Sequence, residues 1–155
     1  MKNTVKLILC LLLPLSVGSV AGIATAGGVN TWYETLNKPS FNPPNYLFGP
    51  VWTVLYILMG ISLYLILKAP KTALRKQAVV IFGIQLGLNF CWSFLFFQFH
   101  LPGVSFIEIL ALLISIIIMI RAFKKINKTA AYLQIPYLLW VSFASVLNGA
   151  IWYLN

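Results

Sequence analysis

Acidic residues are almost missing from this chain. Its 155 residues include two, Glu34 and Glu108, and no aspartate. There is one histidine, His100, and there are two cysteines, Cys10 and Cys91. Paired-carboxylate hydrolysis needs two facing acids, and neither acid here has a neighbour in sequence. A zinc centre needs several Cys, His or carboxylate ligands, and no ligand-spaced group exists. Nor is there a glycine-rich phosphate loop or a nucleophile triad. Both cysteines lie inside apolar stretches and read as small buried hydrophobes rather than disulfide partners. No metal and no cofactor is expected.

Charge of either sign is scarce. Only 8% of residues are charged, against about 25% in soluble domains. With 61% hydrophobic residues and a mean hydropathy of +0.92, there is too little charge to coat a water-facing surface. Lipid must cover most of the chain. The net charge of +9 does not indicate nucleic acid, because the positives cap apolar runs instead of forming a basic face. The apolar runs are continuous rather than alternating, which argues against a β-barrel.

About 20 apolar residues cross a bilayer as a helix, and five such segments are present. The sequence predicts an all-α membrane protein, a single domain of five transmembrane helices. The spans run from about Val5 to Ala26, Tyr46 to Leu67, Arg75 to Phe97, Gly103 to Phe123 and Thr129 to Leu154. Breaks are expected at Gly27-Gly28, Ala69-Pro70, Leu101-Pro102-Gly103 and Lys124 to Lys128. Lys2, Lys6 and Ala24-Thr25-Ala26 give the start a signal-peptide look. Its apolar run exceeds a usual signal core, so it reads as a retained span.

The cations fix an orientation. Lys2 and Lys6 precede the first span. Lys68, Lys71, Arg75 and Lys76 flank the second turn, and Arg121, Lys124, Lys125 and Lys128 flank the fourth. With five spans these three groups share one side, and the other side keeps only Lys38. The positive-inside rule then places the N-terminus in the cytoplasm and the C-terminus outside, in a multi-pass protein of the cell membrane.

The loop from Gly27 to Asn45 is the only long one, and it is rich in aromatics and prolines. It reads either as interfacial anchors or as a stiffened lid over a flat apolar ligand. Its run Trp32-Tyr33-x-x-Leu36-x-Lys38-Pro39-Ser40-Phe41-x-Pro43-Pro44 leads into Phe48-Gly49-Pro50-Val51-Trp52-Thr53-x-Leu55-Tyr56. The third span carries Gln85-x-x-x-Asn89-x-x-Trp92 with Phe96-Phe97. The fifth carries Pro136-Tyr137-x-x-Trp140-x-x-Phe143-Ala144-x-x-Leu147-Asn148. Taken together, these blocks resemble the tryptophan-rich sensory protein family, whose mitochondrial members are the translocator protein, or peripheral-type benzodiazepine receptor. The resemblance covers essentially the whole chain. It implies a five-helix bundle, usually a homodimer, with a pocket for porphyrins and for benzodiazepine-type and isoquinoline carboxamide drugs. It also implies, for bacterial members, tetrapyrrole binding and light-dependent porphyrin breakdown, and for mitochondrial members, cholesterol. The sterol motif needs a basic residue beyond its tyrosine. Leu147 and Tyr153 are followed by none here, which points away from sterol and toward a bacterial member.

Helix geometry sorts the candidate residues at about 100° per residue. On the third span Gln85, Trp92 and Phe96 fall within about 60° of Asn89, while Gly83 and Gly87 lie about 120° and 160° away. Amide side chains are expensive in lipid, so the Asn89 face should look into the bundle. The glycine face is a small-xxx-small surface and the candidate dimer contact, with packing inside the monomer as the alternative. Gly18 and Gly22 on the first span read mainly as intramolecular packing. On the fifth span Tyr137, Trp140, Asn148 and Ile151 lie within about 40° of Ala144, leaving a slot between ring faces. Trp52 and Tyr56 are one turn apart on the second span, and the Trp52 indole with the Asn89 amide suits a carbonyl or carboxylate.

The expected ligand site is therefore Trp32, Tyr33, Trp52, Tyr56, Asn89, Trp92, Tyr137, Trp140, Ala144 and Asn148, with Trp52 and Trp140 as the photo-oxidation candidates. Phe90 points elsewhere. Glu108, the only acid within a span, is a functional candidate by default, and His100 is a haem ligand only if a second ligand exists. Three function classes stay open: a porphyrin-binding receptor that promotes light-dependent oxidative degradation, a transporter or sensor of apolar ligands without catalysis, and a structural or sensory partner protein.

Overall fold

The computed structural model describes residues 1–155. It is all-helical, and five helical segments are long and apolar enough to cross a membrane: Asn3–Val29, Asn45–Lys68, Ala73–Gln98, Pro102–Lys124 and Lys128–Leu154. The elements are α1 (Asn3–Val29), α2 (Phe48–Lys68), α3 (Ala73–Ser93, continued by a wide π turn at Phe94–Gln98), α4 (Pro102–Lys124), α5 (Lys128–Tyr132) and α6 (Ile135–Leu154). Short 3-10 turns at Tyr33–Thr35 and Asn45–Leu47 sit in the first loop. In hydrocarbon each backbone N–H and C=O must bond within its own segment, which is why the apolar runs form helices.

In the bundle, α1 packs on α2 and α3, α3 on α4, α4 on α5 and α6, and α2 on α5. Local chemistry sets the ends. Thr72 caps α3 by accepting from the Arg75 N–H at 3.2 Å, and Asn127 caps α5 by accepting from the Ala130 N–H at 3.0 Å. Pro102 opens α4, where its missing N–H costs nothing.

Three features differ from the sequence reading. First, α1 runs past Gly27-Gly28 to Val29. Glycine weakens a helix by only about 1 kcal/mol relative to alanine, and here it has a packing use. A Cβ on Gly28 would come within 2.5 Å of the Phe97 carbonyl oxygen, so glycine lets α1 close onto the end of α3. Second, the last span is not one continuous helix. It is interrupted at Leu133–Gln134, because Pro136 lacks the N–H for a bond to Tyr132 and its ring crowds that carbonyl. The buried Gln134 amide bridges the interruption, donating to the Leu58 carbonyl at 3.2 Å and to Ser62 Oγ at 2.6 Å. Ser62 in turn donates to the Ala130 carbonyl at 2.9 Å. Third, α3 ends in the π turn, with the Phe99 N–H bonded to the Phe94 carbonyl at 2.8 Å. The widened turn leaves Phe96 and Phe97 both buried.

Close helix contact depends on Gly60. A Cβ there would stand 2.7 Å from Leu11 Cα and 2.8 Å from the Cys10 carbonyl oxygen. Gly60→Leu should therefore lower the apparent unfolding temperature in detergent, with overpacking costing about 1–3 kcal/mol. Gly49→Leu on the same helix, where an added Cβ meets nothing within 4 Å, should leave it unchanged. Equal stability of the two variants would mean that α1 is not seated on α2 as described.

Candidate functional site

A narrow cavity of about 20 Å³ lies between α2, α3 and α6, beneath the first loop. Its wall is nearly all aromatic and aliphatic. Trp52 comes from α2, Trp92 from α3, and Trp140, Ala144 and Asn148 from α6, while Tyr33 of the loop closes it. Tyr33 is 1% exposed, and its ring stands 6.1 Å from Phe48, 6.0 Å from Phe96 and 5.6 Å from Phe97. The loop is clamped there. The Tyr33 hydroxyl donates to Asn42 Oδ1. The Lys38 ammonium donates to the Tyr33 carbonyl at 2.9 Å and stands 5.0 Å from the Tyr33 ring centroid. Burial pushes the Tyr33 phenol up to about 12, so it stays a neutral donor through the physiological range. Asn37 and Asn155 tie the loop to the end of α6, with N···O distances of 3.0 and 2.9 Å.

Two amide networks hold the helices around this cavity. Tyr56 Oη donates to Asn89 Oδ1 at 2.6 Å, Asn89 Nδ2 donates to Tyr137 Oη at 2.9 Å, and Tyr137 Oη donates to Gln85 Oε1 at 2.8 Å. This relay crosses α2, α3 and α6 in the buried core. Nearer the C-terminal end of α6, Asn148 Oδ1 accepts from Trp92 Nε1 at 3.0 Å and from Ser105 Oγ at 3.1 Å, and its Nδ2 donates to the Pro102 carbonyl at 2.8 Å. Both amides are thus occupied by the protein. By contrast, the Trp140 indole N–H is buried and has no acceptor. Trp52 is set by ring contacts, stacked 5.7 Å from Tyr56 and standing 6.4 Å from Trp92.

A family described as TspO/MBR matches residues 10–154. The chain belongs to that family. It is 43% identical to the tryptophan-rich protein TspO of Chlorobaculum tepidum, over 99% of this chain and 98% of that one. It is 44% identical to the protein of the same name in Archaeoglobus fulgidus, over 99% of each, and 36% identical to the human translocator protein, over 78% of this chain and 73% of that one. With five membrane-crossing helices, this member of the TspO/MBR family is a multi-pass membrane protein.

Of the ten ligand-site residues read from the sequence of this family member, the structure brings six to the cavity wall: Tyr33, Trp52, Trp92, Trp140, Ala144 and Asn148. Four lie elsewhere. Tyr56, Asn89 and Tyr137 form the relay behind the wall, so the Asn89 oxygen and nitrogen are both engaged there and not paired with the Trp52 indole around a ligand. Trp32 faces an outer groove, stacked on His100 at 4.4 Å with an interplanar angle of 13°. Helix angle shows which way a residue points but not what it meets, and it says nothing of a loop residue. Phe48, Phe96, Phe97, Phe143 and Leu147 line the cavity without having been selected. Phe48 stands one turn before Trp52, Phe143 and Leu147 border Ala144, and the Phe96-Phe97 pair signals an aromatic helix end.

Other expectations resolve as follows. A Cβ on Gly18 would meet the Tyr56 ring at 2.3 Å, which makes Gly18 an intramolecular contact, whereas Gly22 faces open space in a groove between α1 and α2. Phe48 and Trp52 line both that groove and the aromatic cavity. Both carboxyl oxygens of Glu108 and the Gln85 Nε2 are buried without a protein partner. His100 adopts a left-handed φ of 58° at the turn into α4.

The relay gives a direct test. Tyr137→Phe removes one hydroxyl and strands the Asn89 N–H and the Gln85 carbonyl, and each unsatisfied buried group costs about 1–3 kcal/mol. The apparent unfolding temperature in detergent should fall by several degrees, and the intrinsic tryptophan emission should shift as Trp52 loses its neighbour's position. An unchanged melt would show that the relay does not hold the bundle.

Proposed function

We propose that this protein is a membrane receptor for porphyrins and for flat apolar ligands of the benzodiazepine type, and that it promotes light-dependent oxidative breakdown of protoporphyrin. The observation that carries this reading is the aromatic cavity itself. Trp52 and Trp140 stand on its wall, and Trp140 offers a buried N–H with no acceptor on the protein. An apolar pocket with few polar groups is the usual form of a small-molecule site. A ligand carbonyl or carboxylate reaching Trp140 would satisfy a donor that otherwise costs free energy.

At about 20 Å³ the enclosed space is far below the ~300–1,000 Å³ typical of ligand pockets. A tetrapyrrole therefore requires Tyr33 and the 27–45 loop to move as a lid, releasing the Lys38 and Asn42 contacts. Once bound, the porphyrin supplies the chromophore, and dioxygen is the oxidant. The protein supplies position and two oxidisable indoles. The relatives named as tryptophan-rich proteins fit a wall built on Trp52, Trp92 and Trp140.

The same reading places the protein in the cell membrane with its N-terminus cytoplasmic and its C-terminus outside, because ten cations share one side. It also assigns a homodimer through α3. Gly83 and Gly87 are exposed, and an added Cβ on either meets nothing within 4 Å. That leaves a small-residue face for a second copy.

Three outcomes test this. Ala144→Phe should weaken dark protoporphyrin binding, followed by tryptophan quenching, by roughly tenfold, the equivalent of 1.4 kcal/mol. Equal affinity in a folded variant would put the site elsewhere. Trp52→Phe and Trp140→Phe should each slow porphyrin loss at saturating ligand and fixed illumination by more than they weaken binding. Rates equal to wild type at equal occupancy would remove the photochemical role and leave a binding protein. The double variant Gly83→Leu with Gly87→Leu should be monomeric by light scattering in detergent, and dimers of unchanged mass would remove the α3 assignment.

A further inference from the structure

The end of the bundle opposite the aromatic cavity carries a second surface that the porphyrin reading leaves unused. Ten of the eleven cations lie at that end, while Glu34 is in the opposite loop and Glu108 is six residues into α4 from the other end. Two apolar grooves meet there. One, of about 490 Å³, runs between α1 and α2 along Leu9, Leu13 and Leu63. The other, of about 300 Å³, follows α3 along Val79 and Val80, with Thr72 and Lys76 also on its wall. Leu67, Lys71 and Arg75 line both grooves, so a pair of cations stands on the ridge between them. Lys6 adds a third charge at the mouth of the larger groove.

The ridge is preset. Arg75 is half-buried, and one guanidinium nitrogen donates to the Ala69 carbonyl at 2.8 Å, which fixes the side chain and leaves its other N–H groups free. Thr72 caps the helix beneath it. A fixed guanidinium beside an ammonium matches a phosphodiester in both charge and donor geometry. An apolar trough on each side matches two acyl chains.

We propose that this ridge and its two grooves form a binding site for one anionic diacyl phospholipid. The phosphate rests on Lys71 and Arg75 within reach of Lys6, and one acyl chain lies in each groove. Basic clefts between helices on the positive side of a membrane protein are suited to acidic headgroups, and here the flanking apolar walls add selection for a two-chain lipid over a free phosphate. The occupant is a lipid that stays with the protein, distinct from the bulk bilayer that touches every outward face.

The test uses the full chain in a mild detergent, with lipid adducts resolved by native mass spectrometry. Dioleoyl phosphatidylglycerol should bind about tenfold more tightly than dioleoyl phosphatidylcholine. The double variant Lys6→Gln with Lys71→Gln leaves Arg75 and its carbonyl bond in place, and should lose most of that preference. Lys124→Gln with Lys125→Gln removes the same charge from the same side and should keep it. Glycerol 3-phosphate at concentrations that match the lipid should not displace it. Equal binding of the two lipids, equal loss in both double variants, or displacement by glycerol 3-phosphate would each overturn the proposal.

Discussion

Asn89 and Asn148 sit in surroundings where no bulk water competes for their amides. In such a medium an unpaired amide is costly, and a paired one locks its partners in place. Each amide reaches across helix boundaries: Asn89 joins Tyr56 of α2 to Tyr137 of α6, and Asn148 joins Trp92 of α3 to Ser105 and the start of α4. The aromatic cavity depends on these two knots. They fix the angles between α2, α3 and α6, and so set where Trp52, Trp92 and Trp140 face one another. They also use up the polar groups nearest the cavity, which leaves an apolar wall and the unpaired indole of Trp140.

Much of the fold could be read from the sequence because the bilayer makes the code simple. Long apolar runs must be helices, and charge clusters mark their ends. Interruptions within a run were harder to read. Pro136 carries a helix-breaking signal, yet it lies in an otherwise apolar stretch, and the Gln134 bridge to Leu58 and Ser62 is a tertiary contact that no local pattern reveals. Gly27-Gly28 carries a helix-stop signal, yet α1 runs through it, and Gly28 serves a close approach to Phe97. At the candidate site, helix angle turns Asn89 and Tyr137 inward, and Tyr56, one turn from Trp52, is buried with them. Whether an inward polar group meets a cavity or another side chain depends on depth and register, and for these three it meets side chains. Trp32 belongs to a loop, where angle carries no information, and its partner His100 lies sixty-eight residues along the chain.

The molecule is polar in an unusual sense, with its two chemistries at opposite ends. One end gathers rings under a clamped loop. The other gathers nearly all the charge and exposes apolar grooves beside it. The loop clamp uses contacts that a ligand could compete with, namely a lysine over the Tyr33 ring and one phenol–amide bond. The bundle beneath is held by buried amides and by glycine-mediated helix contact. The proposed ligand binding requires this separation, with the loop moving as a lid while α2, α3 and α6 keep their spacing.

The most direct measurement is a crystal structure of the protein with protoporphyrin bound in the dark. The expected result is a macrocycle between Trp52 and Trp140, with Tyr33 displaced outward and the Tyr56–Asn89–Tyr137 relay intact. A macrocycle lodged instead in the outer groove beside Trp32 and His100, over a cavity as compact as in the free protein, would contradict it.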